Sequence, residues 1–216
     1  MIAALFVGLA AGQAEIRPSR RTVLDVSVDR RPIGTIEVQV EDRPDDGPRI
    51  KWITTVKQPD GGKFFVSEVE DWSRDGLCRR LVRRVRDDAG LTESALRFET
   101  DRVEVSGESR HLGTHPAPVG RALRRMSRIW MFASPPTEPT VVEGSWFDLE
   151  SGTWSMIREA FLGQGRLTSD GRTAAGLLFH FEPGERWIIG PDRLPLLAEI
   201  RDAEAVVTLA RRGVVL

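Results

Sequence analysis

Between residues 22 and 42 the chain alternates. Leu24, Val26 and Val28 interleave with Val23, Asp25, Ser27 and Asp29, and further on Ile36, Val38 and Val40 interleave with Thr35, Glu37 and Gln39. A period of two puts one set of side chains on a buried face and the other in water, which is the signature of a half-buried strand. The link Arg30-Arg31-Pro32-Ile33-Gly34 supplies the breakers: Pro removes a backbone donor and Gly tolerates positive φ. The stretch predicts a β-hairpin with one wet face.

The same grammar continues. A turn rich in Asp, Pro and Gly at 41–48 precedes Ile50, Trp52, Thr54 and Val56, which alternate with Lys51, Ile53, Thr55 and Lys57. A second turn at 59–62 leads to Phe64, Val66, Glu68, Glu70 and Trp72 on one face, opposite Phe65, Ser67 and Val69. Residues 77–86 fit both periods: Leu77, Leu81 and Val85 recur at helical spacing, while Leu81, Arg83 and Val85 fit a strand. The β pattern on both sides favours the strand. Another pair is expected over 96–105, and a loop without periodicity over 107–118.

Residues 119–132 predict the one helix. Leu123, Met126, Ile129 and Trp130 share a face, and Arg121, Arg124, Arg125 and Arg128 share the opposite one, read as solvated. Pro118 and Gly120 mark its start and Ser134-Pro135-Pro136 its end. After a Pro-containing linker at 137–144 come a short strand at 145–149, a strand through Trp154 to Leu162, a turn at 163–171, an apolar strand through Leu177, Phe179 and Phe181, and further strands to the end. Turn signals about every ten residues are the spacing of a meander, sandwich or barrel. The expected fold is mainly β: a curved antiparallel sheet or open β-barrel with one amphipathic helix.

Composition narrows the function classes. A chain of 216 residues with 40% hydrophobic and 29% charged residues suits one globular domain. The formal net charge of −1 gives no global pull toward nucleic acid or acidic membranes. The single cysteine, Cys78, cannot form an internal disulfide and reads as a small, partly buried hydrophobe. At the N-terminus, residues 2–11 form an apolar run of signal-peptide length, followed by small residues around Gly12-Gln13-Ala14. The run is too short to span a bilayer, and no Lys or Arg precedes it; a buried first strand is the competing reading. The expectation is a signal peptide at 1–14, a single β-rich domain at 15–216, a periplasmic or secreted location, and no transmembrane span after signal removal.

Two stretches resemble a known group. The hairpin V-x-V-D-R-R-P-I-G-T-I-E-V near the start and R-W-I-I-G-P-D-R-L-P-L-L-A-E-I near the end resemble the first and last hairpins of exported bacterial β-proteins of unknown function. Those proteins are similar in plan to the lipoprotein carriers of the LolA and LolB type. The resemblance implies an open, strongly curved antiparallel sheet with a helix plugging its concave side, and no catalytic residues.

Candidate chemistry is sparse. His111 and His115 are four apart, but Gly113 between them and Pro116 after them predict a loop rather than a metal-binding helix face. His180 stands alone on a strand. The nucleophile elbow Gly-x-Ser-x-Gly is absent, and Ser145 in Gly144-Ser145-Trp146 lacks the second Gly. Glu68, Glu70 and Asp71 cluster in sequence, as exposed strand faces often do. No enzyme activity, cofactor, metal or nucleic-acid partner is expected. The expectation is a non-catalytic exported domain holding an apolar or lipid ligand between sheet and helix, lined by Leu123, Met126, Ile129, Trp130 and Trp187. The alternative is a cell-envelope structural or protein-interaction module without ligand.

Overall fold

The structure, a computed structural model, describes residues 19–43, 45–57, 62–118, 126–201 and 204–213, with the side chains of residues 126 and 127 left aside. The expected signal peptide at 1–14, the first part of the expected helix at 119–125 and most of the 59–62 turn lie outside the described residues. The elements are β1 (Arg20–Val28), β2 (Arg31–Glu41), β3 (Arg49–Lys57), β4 (Lys63–Trp72), β5 (Cys78–Asp87), β6 (Gly90–Phe98), β7 (Arg102–Gly107), β8 (Gly113–Pro116), α1 (Met126–Phe132), β9 (Thr140–Asp148), β10 (Thr153–Ser169), β11 (Arg172–Phe181), β12 (Glu185–Ile189), β13 (Pro195–Arg201) and β14 (Val206–Arg211).

All fourteen strands pair antiparallel in one curved, unclosed sheet, ordered β8-β7-β6-β5-β4-β3-β2-β1-β14-β13-β12-β11-β10-β9. Every neighbouring pair is consecutive in the chain except β1 and β14. The first and last strands therefore meet in the middle of the sheet, with Leu24 opposite Arg211 and Val28 opposite Val207. The two free edges, β8 and β9, are joined through the segment that carries α1. The expected mainly-β open barrel is the observed fold.

Alternation sorts the side chains as expected. Leu24, Val26, Val38, Val40, Ile50, Trp52, Trp72, Leu81 and Leu96 form the inner face and the main core. In α1, Ile129, Trp130, Met131 and Phe132 are all buried in that same core. Four successive buried positions cover most of a helical turn, so the helix is wrapped by the curve rather than laid on a flat surface. A second, smaller cluster of Leu167, Ala174, Ile188, Leu197 and Ala210 sits on the outer face.

The ambiguous 77–86 stretch is strand β5 from Cys78 onward, with Leu81 facing the core opposite Glu70. Four expectations are corrected. The first reversal is made by Asp29 and Arg30, both at positive φ (46° and 70°), not by Pro32 and Gly34. Pro32 and Gly34 lie inside β2, flanking a register shift, and a Cβ on Gly34 would fall 2.0 Å from the Thr55 carbonyl oxygen. The two breakers serve a bulge and a close strand approach.

The expected turn at 163–171 is also strand. β10 runs 17 residues with a bulge at Leu162, and the reversal is Asp170-Gly171 (φ 51° and 73°), a two-residue Asp-Gly turn. Gly165 faces Gly176 across this hairpin, where a Cβ on Gly176 would meet the Ile189 carbonyl at 2.4 Å. These glycines let the hairpin bend over the outer face, so that Ser169 Oγ reaches Thr208 Oγ1 at 2.8 Å and Ser27 Oγ donates to Asp170 at 3.0 Å.

The 107–118 loop contains β8, a short edge strand whose His115 pairs with Val103. The linker at 137–144 overlaps β9, which starts at Thr140. Both lack alternation because an edge strand beside an open seam has no uniformly buried face to encode.

Candidate functional site

The concave interior is organised around Trp52. Its ring meets Phe132 edge-on at 5.7 Å and Trp187 edge-on at 6.1 Å between centroids. Of the five expected lining residues, Ile129, Trp130 and Trp187 are brought together in this core. Leu123 and the side chain of Met126 lie outside the described residues. Arg20 fixes the C-terminal end of α1: its guanidinium donates to the Phe132 carbonyl at 2.5 Å while pairing with Asp42 at 2.6 Å.

Arg128, expected on the solvated face, is instead stacked over the Trp52 ring, with its guanidinium carbon 4.6 Å from the centroid. The sheet curves far enough around α1 for the flank of the helix to reach it, and a guanidinium on an indole face is a favourable place to end. Sequence periodicity missed both residues of this pair. Trp52 was visible only as one apolar position in a strand, and the Arg repeat suggested an outward face.

Several buried donors in the interior have no hydrogen-bond partner: Trp52 Nε1, Trp154 Nε1, Ser145 Oγ and one terminal nitrogen of Arg128. Leaving a buried donor unmade costs about 1–3 kcal/mol, more when it is charged, so such groups mark places where something else binds or strain is stored.

Between the free edges lies a cleft of about 310 Å³ lined by Glu68, Leu81, Arg83, Leu96, Trp146 and Phe147 among others. Side chains close it. Phe98 stacks on Trp146 at 5.0 Å, His115 tilts against Phe147 at 4.7 Å, and Arg83 pairs with Glu150 at 2.7 Å and Glu68 at 3.5 Å. His111 donates from Nε2 to the Glu150 carbonyl at 3.1 Å, and His115 donates from Nε2 to the His111 carbonyl at 2.8 Å. The two histidines thus fasten the seam. Among the described residues no group of three His, Cys, Asp or Glu is placed to hold a metal ion.

The acidic run splits across β4. Glu70 is buried on the inner face and accepts the Trp72 Nε1 proton at 2.9 Å, while Asp71 faces outward to Arg43 (3.1 Å) and Arg49 (2.7 Å). The exposed acidic face expected from sequence is therefore two separate sets of contacts. Cys78 is buried, and its thiol donates to the Arg80 carbonyl at 3.4 Å.

On the outer face a second cleft, about 360 Å³, opens beside Asp29, Arg30, Ser169, Asp170, Glu199 and Thr208. Glu199 is only 2% exposed and pairs with Arg201 (2.7 Å) and with Arg186. The Arg201 hydrogen bond leads, burial opposes it, and Arg186 and Ser169 add to it, holding the carboxyl down at about 2. Both Glu199 oxygens are already matched by Arg186 and Arg201, so the carboxylate pins the folded-over hairpin.

Among the described residues no helix is long and apolar enough to cross a membrane. No family model matches the chain, and no curated protein matches it. Solved structures are similar in fold. The β-barrel-like protein of the domain of unknown function DUF1849 from Brucella abortus superposes with a TM-score of 0.59 at 11% identity, covering 88% of this chain and 94% of that one. A DUF1089 family protein from Pseudomonas aeruginosa gives 0.43 at 11% identity over 85% and 92%. LprF from Mycobacterium bovis gives 0.16 at 11% identity over 89% and 84%. The last two overlaps are too loose to carry an argument. The first shows that this chain has the architecture of a β-barrel-like protein of unknown function.

Proposed function

We propose that this is an exported, non-catalytic domain that holds an apolar or lipid ligand between its sheet and α1, in keeping with the resemblance of its two hairpins to exported β-proteins of carrier-like plan. The observation that carries this reading is the unclosed seam beside a buried aromatic interior. The sheet stops short of closing at β8 and β9, a helix fills the curve, and donors on Trp52 and Arg128 are left without partners inside. A fully packed structural barrel gains by closing its ladder and pairing such groups, whereas a ligand holder needs an entrance and a lining. Export rests on the apolar run at 2–11 and the small residues at 12–14.

Native mass spectrometry of the protein purified from its own host tests the reading. An adduct in the mass range of a lipid, lost on denaturation, is the expected result. Bare protein from that source, with no mass shift on adding lipid extract, would contradict it.

The second reading, an envelope interaction module, has its own observation. Val141 (52% exposed) lies on the free-edge strand β9, with Met156 (59%) and Leu162 (43%) on β10 beside it, and an added strand from another protein would pair with β9.

A further inference from the structure

We infer that the ligand held in the interior carries an anionic head, and that Arg128 and Trp52 receive it. The inference rests on the ligand-holding reading above and names the chemistry of its polar end. Trp52 is 7% exposed, its Nε1–H has no acceptor, and the Arg128 guanidinium over its ring keeps one buried terminal nitrogen without a partner. Arg128 has no carboxylate partner among the described residues. A cation over the indole face and an unpaired N–H at the same ring's edge offer two donors that an oxygen anion satisfies and an alcohol or hydrocarbon does not.

Its position fits a head group. Trp52 is the register partner of Glu68 on β3 and β4, so both project from the inner face as cross-strand neighbours. Glu68 lines the seam cleft, which places the two donors next to the opening in the sheet. Arg83 lies 3.5 Å from Glu68 and offsets the carboxylate that would otherwise repel an incoming anion. On the other side of Trp52 stand Phe132 and Trp187, an apolar wall suited to a chain. The structure thus sets an anion-accepting pair between a polar mouth and an apolar interior. It fits a long acyl chain ending in a carboxylate or phosphate.

The test compares palmitate, hexadecyl phosphate and hexadecanol, at sub-micellar concentration, by titration calorimetry against the full chain, Arg128→Gln and Trp52→Phe. Wild type should bind at least one of the two anions about tenfold or more tighter than hexadecanol, and the better anion identifies the head. Arg128→Gln should bring that anion down to the hexadecanol level while leaving hexadecanol unchanged. Trp52→Phe, which keeps a ring but deletes the N–H, should remove part of the preference. Equal wild-type affinities for all three, or a preference that survives Arg128→Gln, would overturn the assignment and leave the apolar-ligand reading standing. Binding of none of the three would overturn both. The wild-type preference alone decides whether the head is anionic, and Trp52→Phe tests the assignment if Arg128→Gln fails to fold.

Discussion

The sheet is held together in two different ways on its two sides. Where β1 meets β14, the ends of the chain are joined by a continuous backbone ladder, flanked by the Arg212–Asp25 pair at 2.6 Å and covered on the outside by the folded-over hairpin with Leu167, Ala174, Leu197 and Ala210. Where β8 faces β9 there is no ladder. Stacked rings, two histidines and an exposed ion pair bridge the gap, with the helix behind them. A ladder opens only by losing many bonds together, whereas a side-chain seam gives way contact by contact. The difference separates a side closed by backbone hydrogen bonds from one bridged by side chains alone.

The largest effect should come from the core on each side. Leu197, fully buried in the outer cluster, should cost about 2–5 kcal/mol as Leu197→Ala, with or without lipid. Trp130→Ala should behave otherwise. In a closed core its loss costs about 3–5 kcal/mol. If α1 borders ligand space, the protein without lipid should lose much less and the lipid-bound protein more, because ligand binding adds stability by mass action. Denaturant unfolding of both variants, with and without palmitate, separates the two sides. A Trp130→Ala loss in the full closed-core range that palmitate leaves unaltered would erase the distinction.

A middle-sized effect is expected at Glu199. Glu199→Gln should cost about 2 kcal/mol at neutral pH, since charge-assisted hydrogen bonds are lost. The folded carboxyl sits at about 2 against an ordinary 4.5, so its contribution is fully present above the unfolded-state value and disappears as pH falls from about 4.5 through about 2. Unfolding curves of wild type and variant should converge over that window. A difference that stays constant down to pH 2 would show that Glu199 acts by shape alone.

The smallest effect belongs to the seam. Glu150 is 73% exposed on its side chain, so Glu150→Gln should shift global stability by less than about 1 kcal/mol. A loss exceeding that of Glu199→Gln would mean the seam is built as firmly as the hub.

Much of this was legible in the chain. The alternation of Leu24, Val26, Val38, Val40 and Ile50 fixed which face is inner, and even the ambiguous 77–86 stretch resolved to strand because its neighbours were strands. What escaped depends on three-dimensional approach. Gly34 and Gly165 read as breakers, yet they sit in strands, as Gly176 does, where another backbone or a facing side chain comes too close for a Cβ. Asp29 and Arg30 make a turn that no glycine announces. Within the candidate site, Ile129, Trp130 and Trp187 were legible as apolar positions needing cover. Arg128 was not, because helical periodicity reports which face is charged but not how far a curved sheet wraps around it. The joining of β1 to β14 was invisible for a related reason: strands at opposite ends of a chain carry no local signal of each other.

Hydrogen exchange, resolved by segment, tests the central claim most directly. Amides of β1 and β14 should be protected near the global unfolding free energy, while β8 and β9 should exchange through openings at least about 2 kcal/mol cheaper. Palmitate should slow exchange at β8, β9 and α1 and leave β1 and β14 unchanged. Equal protection on both sides, indifferent to palmitate, would contradict an openable seam leading to a ligand-holding interior.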